Sequence, residues 1–466
     1  MSSDPGSLTY RVLRGTARLA VRWFYRDVVI DGGERIPMTG PVLLVVNHPN
    51  ELMDAIFAGL VTPRQLTFTG KATLFANPMM AAFLRHMRVV PLRRVADERA
   101  TAGAAPEAGA AFEASRNTDA FAAIHGALAA GQVVLIFPEG RSWDEPRLAP
   151  IKTGTARIAL AAQSAGVVGV TIVPVGINYE LKHALRSRVL VEVGAPITID
   201  ALPPTEATVD ALTTLVARRL HAVTMNFGDA REAAEALDLA TVLASAGDEI
   251  RPLDDADAPI AVKVGVARQA DAIRQRLGRG ELAPAVSDQV VGVQRRLLSL
   301  QRTATALGIR LDDVTLDTRL PAAGRFVVRE LLLAAVGVPL ALWGRLNHQL
   351  PFWLTRSLGR RTASARSNVA MNTVVLGLLL VPLFYALQTV LVWWLTRGWW
   401  AALYAASLIP SASWDLRYSE RVRRLLMRAR AWRHFRDDPA LQASLSGELA
   451  ALRREAAGIA AGAAAL

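Results

Sequence analysis

The sequence predicts an α/β domain, a mixed sheet flanked by helices, followed by a helical region and a C-terminal membrane-helix hairpin. Three observations predict it. Between residues 26 and 200 short β-like runs alternate with helical stretches, which is the pattern of an α/β domain. Val369–Leu395 is 27 residues without a charge, long enough to cross about 30 Å of hydrocarbon with some tilt. Between Arg356 and His434 stand 12 arginines and only two acids, Asp415 and Glu420. That places +10 of the formal net charge of +12 around the most apolar part of the chain, as positive flanks do around membrane segments.

Composition sets the outer bounds. A chain of 466 residues has room for two or three domains, each able to bury a core. With 52% hydrophobic and 20% charged residues and a mean hydropathy of +0.26, the chain is not largely disordered. Nor does it read as wholly soluble. There is no cysteine, which excludes disulfide scaffolds, zinc fingers, iron–sulfur clusters and thiol catalysis. The cations are almost all arginine; the lysines are Lys71, Lys152, Lys182 and Lys263. A general polybasic nucleic-acid surface mixes both cations, so no nucleic-acid partner is expected.

Taken in order, residues 1–26 carry a basic amphipathic helix. Arg11, Arg14, Arg18 and Arg22 recur at spacings of three and four, with Leu13, Leu19, Val21, Trp23 and Phe24 supplying apolar surface. Such a helix suits a bilayer interface or an ordinary surface position on its own domain. Tyr10–Phe24 has no unbroken apolar run and no small-residue cleavage site, so no signal peptide is read there. In the α/β domain, residues 27–200, the expected strands are Val28–Ile30, Val42–Val46, Leu66–Thr69, Val133–Phe137 and Val170–Val175. The expected helices are Asp54–Leu60, Pro78–Met87, Ala120–Ala130 and Thr155–Ala165. Residues 97–119, rich in Ala, Gly and acids, read as an inserted flexible loop.

Residues 201–325 are helical in pattern, as at Val209–Thr224 and Ser287–Leu307, and show no catalytic constellation. They suit a structural or partner-binding accessory region. Residues 326–415 hold the membrane candidates, strongest at 369–395 and 399–412. Arg397 and Gly398 interrupt them, and Trp393, Trp394, Trp399 and Trp400 cluster at the break, as interfacial aromatics do. Leu331–Trp343 is short and contains Pro339, so it lies in the interface or spans shallowly. Arginine-rich flanks on both sides keep both ends cytoplasmic, hence a hairpin; a buried pair of core helices is the other reading. Residues 416–466 form a basic, then Ala-rich, helical tail.

Three stretches could carry chemistry. Asn47-His48-Pro49-Asn50-Glu51-Leu52-Met53-Asp54 follows an apolar run. A histidine at a strand end can act as a general base near neutral pH, and Asp54, at the start of the next helix, can orient it. That is a base and its orienter without a serine, so the nucleophile must come from the substrate. An ordinary loop histidine has the same local sequence. The second stretch is Pro138-Glu139-Gly140-Arg141-Ser142-Trp143-Asp144 after Val133–Phe137. An arginine fork there suits phosphate and a carboxylate can accept from a polyol, although turn residues alone also fit. The third is Val89-Val90-Pro91-Leu92-Arg93-Arg94, which with Lys71 gives further strand ends carrying cations. They line a cleft for a phosphorylated substrate or are simply solvated. No phosphate-binding P-loop, nucleophile elbow or H-E-x-x-H motif occurs. The seven histidines show no ligand spacing, so no metal site is expected.

Together and in order, these stretches resemble the PlsC-type glycerolipid acyltransferases over roughly residues 40–200. Asn47-His48 with Asp54 is similar to that family's His/Asp motif. Lys71 to Arg94, with Asn77-Pro78 between, is similar to its second block, Phe137-Pro138-Glu139-Gly140 to its third and Ile172-Val173-Pro174-Val175 to its fourth. The family places four residues between His and Asp; here five intervene, which leaves Glu51 as a fallback partner. That spacing, with Arg141 to Asp144 and Leu148 to Gly154, resembles the fungal-type glycerol-3-phosphate/dihydroxyacetone-phosphate acyltransferases and their bacterial relatives. Trp143 stands where that branch usually has His.

The resemblance implies an O-acyltransferase of phospholipid synthesis. His48 takes the proton of a glycerol hydroxyl and Asp54 holds its tautomer. The alkoxide attacks the thioester of acyl-CoA or acyl carrier protein, which is a co-substrate; no cofactor and no metal is implied. Lys71, Arg93, Arg94 and Arg141 would bind the acceptor's phosphate, with Glu139, Gly140 and Ser142 completing the acceptor site. The partners expected are an acyl thioester, a phosphorylated glycerol-type acceptor and membrane lipid. The place expected is an inner or cytoplasmic membrane, with the catalytic domain facing the cytoplasm. Lysophosphatidate or another lysophospholipid is the alternative acceptor. A catalytically silent membrane protein that binds lipid or a partner is the alternative of another class.

Overall fold

The computed structural model describes residues 6–93, 117–182, 184–199, 202–244, 259–316, 320–362 and 368–464. Arg94 and most of the expected loop 97–119 lie outside the described residues; Asn117 is a turn and Thr118 already begins a helix. The chain forms two compact units, residues 1–229 with 363–371, and residues 230–362 with 372–466.

The first unit is built on an eight-stranded sheet: β1 (Asp27–Asp31), β2 (Val42–Val46), β3 (Leu66–Lys71), β4 (Val89–Leu92), β5 (Val133–Ile136), β6 (Thr171–Tyr179), β7 (Arg188–Val193) and β8 (Ile197–Thr198). The order across the sheet is β1-β7-β6-β2-β5-β3-β4, with β8 beside β6. The stretch from β6 to β4 is parallel throughout. β7 and β8 run antiparallel to β6, and β1 follows β7. The sheet is therefore mixed, as expected. Every residue of β2 (VLLVV) and β5 (VVLI) is buried, which is why these strands read as unbroken apolar runs: central parallel strands are covered on both faces.

Helices supply those covers. α1 is Leu8–Phe24, α2 Leu52–Leu60, α3 Pro78–His86, α4 Thr118–Ala129, α5 Gly154–Ser164 and α6 Glu206–Ala222. One core joins Leu43, Val134, Ile136 and Ile172 of the sheet to Ile124 and Leu128 of α4, Ala159 and Leu160 of α5, and Val216 and Leu220 of α6. α2 packs against β6, where Tyr25, Phe57 and Tyr179 form an aromatic triangle with centroids 5.3–6.0 Å apart. α1 buries Tyr10, Val21 and Phe24. Its Arg14 donates to the carbonyls of Gly59 and Leu60 at the end of α2, while Leu8, Val12 and Leu19 stay exposed. At the other end of the sheet the buried Arg64 guanidinium ties the loops at Pro37, Gly40 and Gly131 together. β7 was not among the expected strands.

The second unit is helical: α7 (Ala230–Ala244), α8 (Ile260–Gly278), α9 (Pro284–Leu307), α10 (Leu320–Thr362), α11 (Asn368–Thr396), α12 (Trp400–Asp437) and α13 (Pro439–Ala464). Val293, Leu297 and Leu300 of α9 share a core with Leu445, Leu449 and Leu452 of α13 and Phe435 of α12. The expected short segment Leu331–Trp343 is not a separate element; it lies within the 43 residues of α10. Pro339 and Pro351 lie inside the helix without ending it, since a proline removes one ladder donor that neighbouring helices can help to replace.

α10 and α12 run antiparallel. Trp343 Nε1 donates to Ser407 Oγ, Tyr404 hydroxyl to Asn347 and Trp414 Nε1 to the Gly337 carbonyl. Gly344 makes the close approach possible, because a Cβ there would collide with the Ser411 carbonyl. Among the described residues one helix is long and apolar enough to cross a membrane, Asn372–Thr396, whose most apolar stretch is only 11% buried. Trp399–Ala412 continues within α12 into an arginine-rich half. A two-span hairpin is therefore not shown.

Candidate active site

Parallel strands ending side by side bring their following loops together at one edge. Val45 of β2 pairs with Ile136 of β5 and Val46 with Val175 of β6. His48, the Glu139 turn and Tyr179 therefore arise from three adjacent strands. Asn47 locks the first of these ends: its side chain donates to the Ile177 carbonyl (3.1 Å) and accepts from the Ile177 N–H (2.7 Å).

The five-residue interval between His48 and Asp54 is closed by a tight turn. Glu51 takes φ 44°, ψ −123°, a conformation costly for a residue with a side chain, and α2 starts at Leu52. Asp54 then sits in the first helical turn, where a carboxylate is favoured, and is fully buried. Its Oδ2 lies 2.9 Å from His48 Nδ1 and accepts the Asn50 N–H at 2.6 Å. Its Oδ1 accepts the Tyr179 hydroxyl at 2.7 Å. Burial and the nearby Asp54 charge hold the Tyr179 hydroxyl well above its ordinary range, so it stays a donor. Three donors hold the carboxylate in place. The His48 ring stacks on Phe137, centroids 3.8 Å apart. With Nδ1 held by Asp54, the tautomer leaves Nε2 without its proton. Nε2 meets no protein partner among the described residues, and the side chain is 12% exposed.

The Glu139 turn braces this pair through the backbone. Glu139 Oε1 accepts the His48 N–H at 2.7 Å and Oε2 the Ala149 N–H at 2.9 Å. Burial pushes the Glu139 carboxyl up, although the two N–H groups pull the other way. Ser142 Oγ donates to the His48 carbonyl at 3.1 Å, and the Trp143 N–H reaches the same carbonyl at 2.9 Å. Gly140 has φ +71°, and a Cβ there would stand 2.9 Å from Lys152 Cε. The backbone is what calls for glycine here, since the flexible end of Lys152 can move aside.

His48, Asp54, Glu139 and Ser142 are joined directly in this way. The cations are placed but not joined. Lys71 ends β3, its register partner is Leu92 of β4, and Arg93 follows. Both side chains are exposed, and the Arg93 backbone is held by Asn117. Arg141 lies 4.3 Å over the Trp143 ring. No hydrogen bond links these cations to His48 among the described residues. Glu51 is not the residue on His48 Nδ1; Asp54 is. Asn50 and Tyr179 were missed by sequence reasoning. Asn50 lies inside the motif, whereas Tyr179 is 125 residues from Asp54 and carries no local signal. Among the described residues no group of acids and histidines could hold a metal ion.

Residues 27–178 match the family model described as Acyltransferase. An 85-residue stretch is 42% identical to glycerol-3-phosphate O-acyltransferase 2 of Saccharomyces cerevisiae, covering 18% of this chain and 11% of that protein. A 73-residue stretch is 47% identical to glycerol-3-phosphate O-acyltransferase 1 of the same yeast, covering 16% and 10%. The match thus spans about a tenth of the length of these curated relatives. The crystal structure of the 1-acyl-sn-glycerophosphate acyltransferase PlsC from Thermotoga maritima aligns over 45% of this chain and 77% of its own, at 20% identity and a TM-score of 0.34.

Proposed function

We propose that the acyltransferase-family domain of residues 27–178 serves a membrane-associated enzyme that moves a fatty acyl group from an acyl thioester to glycerol 3-phosphate or dihydroxyacetone phosphate. The observation that carries this reading is the His48–Asp54 pair, 2.9 Å apart, with no protein hydroxyl on Nε2 among the described residues, the nearby Ser142 Oγ being given to the His48 carbonyl instead. A base so arranged needs a hydroxyl brought by the substrate.

His48 Nε2 takes the proton of the acceptor hydroxyl. The oxygen attacks the thioester carbonyl, the ester C–O bond forms, and the C–S bond breaks as the tetrahedral intermediate collapses. The imidazolium returns its proton to the departing thiolate, from coenzyme A or a carrier protein. Asp54 stabilises the imidazolium between these steps. A base of this kind contributes on the order of 10²–10⁴ in rate, with positioning supplying much of the rest. Lys71, Arg93 and Arg141, with Arg94 outside the described residues, are the cations offered to the acceptor's phosphate. Glu139, Gly140 and Ser142 shape the acceptor site through the backbone that they hold. Neither metal nor bound cofactor is needed for these steps.

The membrane part of the reading rests on Asn372–Thr396, with Trp399–Ala412 returning as a hairpin and the arginine flanks keeping the catalytic domain on the cytoplasmic side of an inner or cytoplasmic membrane. Removing residues 326–440 should release the protein into the soluble fraction.

The test uses purified full chain, labelled palmitoyl-CoA and a panel of acceptors, with His48→Ala alongside. Transfer to glycerol 3-phosphate or dihydroxyacetone phosphate, lost in the variant, is the expected result. Transfer only to lysophospholipids overturns the acceptor assignment. Full transfer by His48→Ala overturns the mechanism.

A further inference from the structure

Within the second unit, a cavity of about 600 Å³ opens between α10 and α12. Val338, Ala341, Leu342 and Arg345 line it from α10; Tyr418, Ser419, Val422 and Arg423 line it from α12. On each helix the spacings of three and four put these residues on one face. Each set ends, on its C-terminal side, in an arginine. Long side chains lean toward the N-terminus of their own helix. In an antiparallel pair those directions oppose, and Arg345 and Arg423 stand at the two ends of the lining. Arg345 reaches Ser419 Oγ at 2.7 Å and Asp415 at 3.3 Å. No carboxylate pairs with Arg423 among the described residues. The cavity also lies where α12 passes from the apolar Trp400–Ala412 to the stretch holding Arg417, Arg421 and Arg424. Opposite, α10 exposes Leu332, Val336, Leu346 and Leu350.

Apolar walls with a guanidinium fork at each end, one of them unpaired among the described residues, describe a site for a phosphate carried on an apolar body. We propose that this cavity binds the headgroup of an anionic phospholipid, its phosphodiester between Arg345 and Arg423 and the start of its acyl chains against Leu342 and Val422. A zwitterionic lipid brings its own cation against the second guanidinium and is disfavoured. A bilayer is the source of such a ligand, since basic side chains beside an apolar segment attract anionic lipid. The site is separate from the His48 centre and independent of the acyl-transfer reading.

The experiment is calorimetric titration of the full chain in neutral detergent. The titrants are dioctanoyl phosphatidylglycerol, dioctanoyl phosphatidylcholine and inorganic phosphate. The expected result is binding of phosphatidylglycerol, with the other two at least about tenfold weaker. Arg423→Gln, at an exposed position, should weaken phosphatidylglycerol about tenfold, as loss of one charge-assisted hydrogen bond does. Ala341→Leu, which narrows the cavity without touching a charge, should weaken it as well, with helicity by circular dichroism unchanged. Equal binding of phosphatidylcholine overturns the charge argument. Equal binding of inorganic phosphate makes this a free-anion site and overturns the lipid. Unchanged affinity in either variant overturns the location. Acyl transfer by Arg423→Gln should equal that of the unaltered protein, so this test and the acceptor panel report on different sites.

Discussion

Asp54→Asn separates what the buried carboxylate does by charge from what it does by shape. The wild-type group accepts three hydrogen bonds: Asn50 N–H and His48 Nδ1 on Oδ2, and Tyr179 hydroxyl on Oδ1. An asparagine can keep nearly all of this. Its carbonyl oxygen faces Asn50 and His48, and its NH₂ faces Tyr179, whose hydroxyl rotates to accept. The histidine tautomer survives and the negative charge does not. At an effective dielectric of about 20, a charge pair at about 4 Å is worth about 4 kcal/mol. Lost from the imidazolium, and so from the transition state, that is roughly three decades in kcat/KM. Tyr179→Phe removes a donor and leaves the charge, so it should cost stability by about 1.5–3 kcal/mol and activity by about tenfold or less. The assay is thiol release from acyl-CoA with saturating acceptor, alongside circular dichroism. If folded Asp54→Asn keeps more than about a tenth of wild-type kcat/KM, or if Tyr179→Phe costs as much as Asp54→Asn, charge stabilisation of His48 is the wrong account.

Further outcomes follow from the same turn. Gly140→Ala places a Cβ at φ +71° and against Lys152; it should lower stability by about 1–2 kcal/mol, read as a lower thermal midpoint, and adding Lys152→Ala should recover only the steric part. The Glu139 carboxyl is raised in the folded state, so its contribution is fully present below the ordinary glutamate value and is lost as pH rises through the raised one. Denaturant midpoints measured against pH should show that decline in the wild type and lose it in Glu139→Gln. Glu51→Gly should raise stability by about 1 kcal/mol by relieving the strained backbone; a lower denaturation midpoint would mean that the contacts of the Glu51 side chain outweigh the strain.

What could be read from the chain depended on whether the signal was local. β2 and β5 were plain because complete burial leaves nothing but Val, Leu and Ile in them. His48 and Asp54 were legible together because a strand end and the next helix start are six residues apart. β7 was hidden by Arg188 and Glu192, which break its apolar run. Arg188 is nonetheless buried, paired with Glu180 at 2.6 Å, and no periodicity reveals a partner of that kind. The full length of α10 was hidden because Leu331–Trp343 was read as a short segment on account of Pro339, which the long helix absorbs along with Pro351. Glu139 was recognised as a site residue, but that both its oxygens face backbone N–H groups is a property of the folded turn. Tyr179 had no signal at all, since a tyrosine ending an apolar strand is ordinary until the sheet order sets it beside α2.

That sheet order has a consequence for synthesis. β6 lies beside β2 in the middle of the sheet, yet each of its paired residues is made 129 residues after its partner, as Val175 is after Val46. While the chain is still growing, the edge of β2 that β6 will cover stands open, and open edges of apolar strands invite pairing with other chains. The same late strand delivers Tyr179, the last donor to Asp54. The nascent protein therefore carries that open edge before Asp54 has its last donor, and one event, the docking of β6, ends both conditions together.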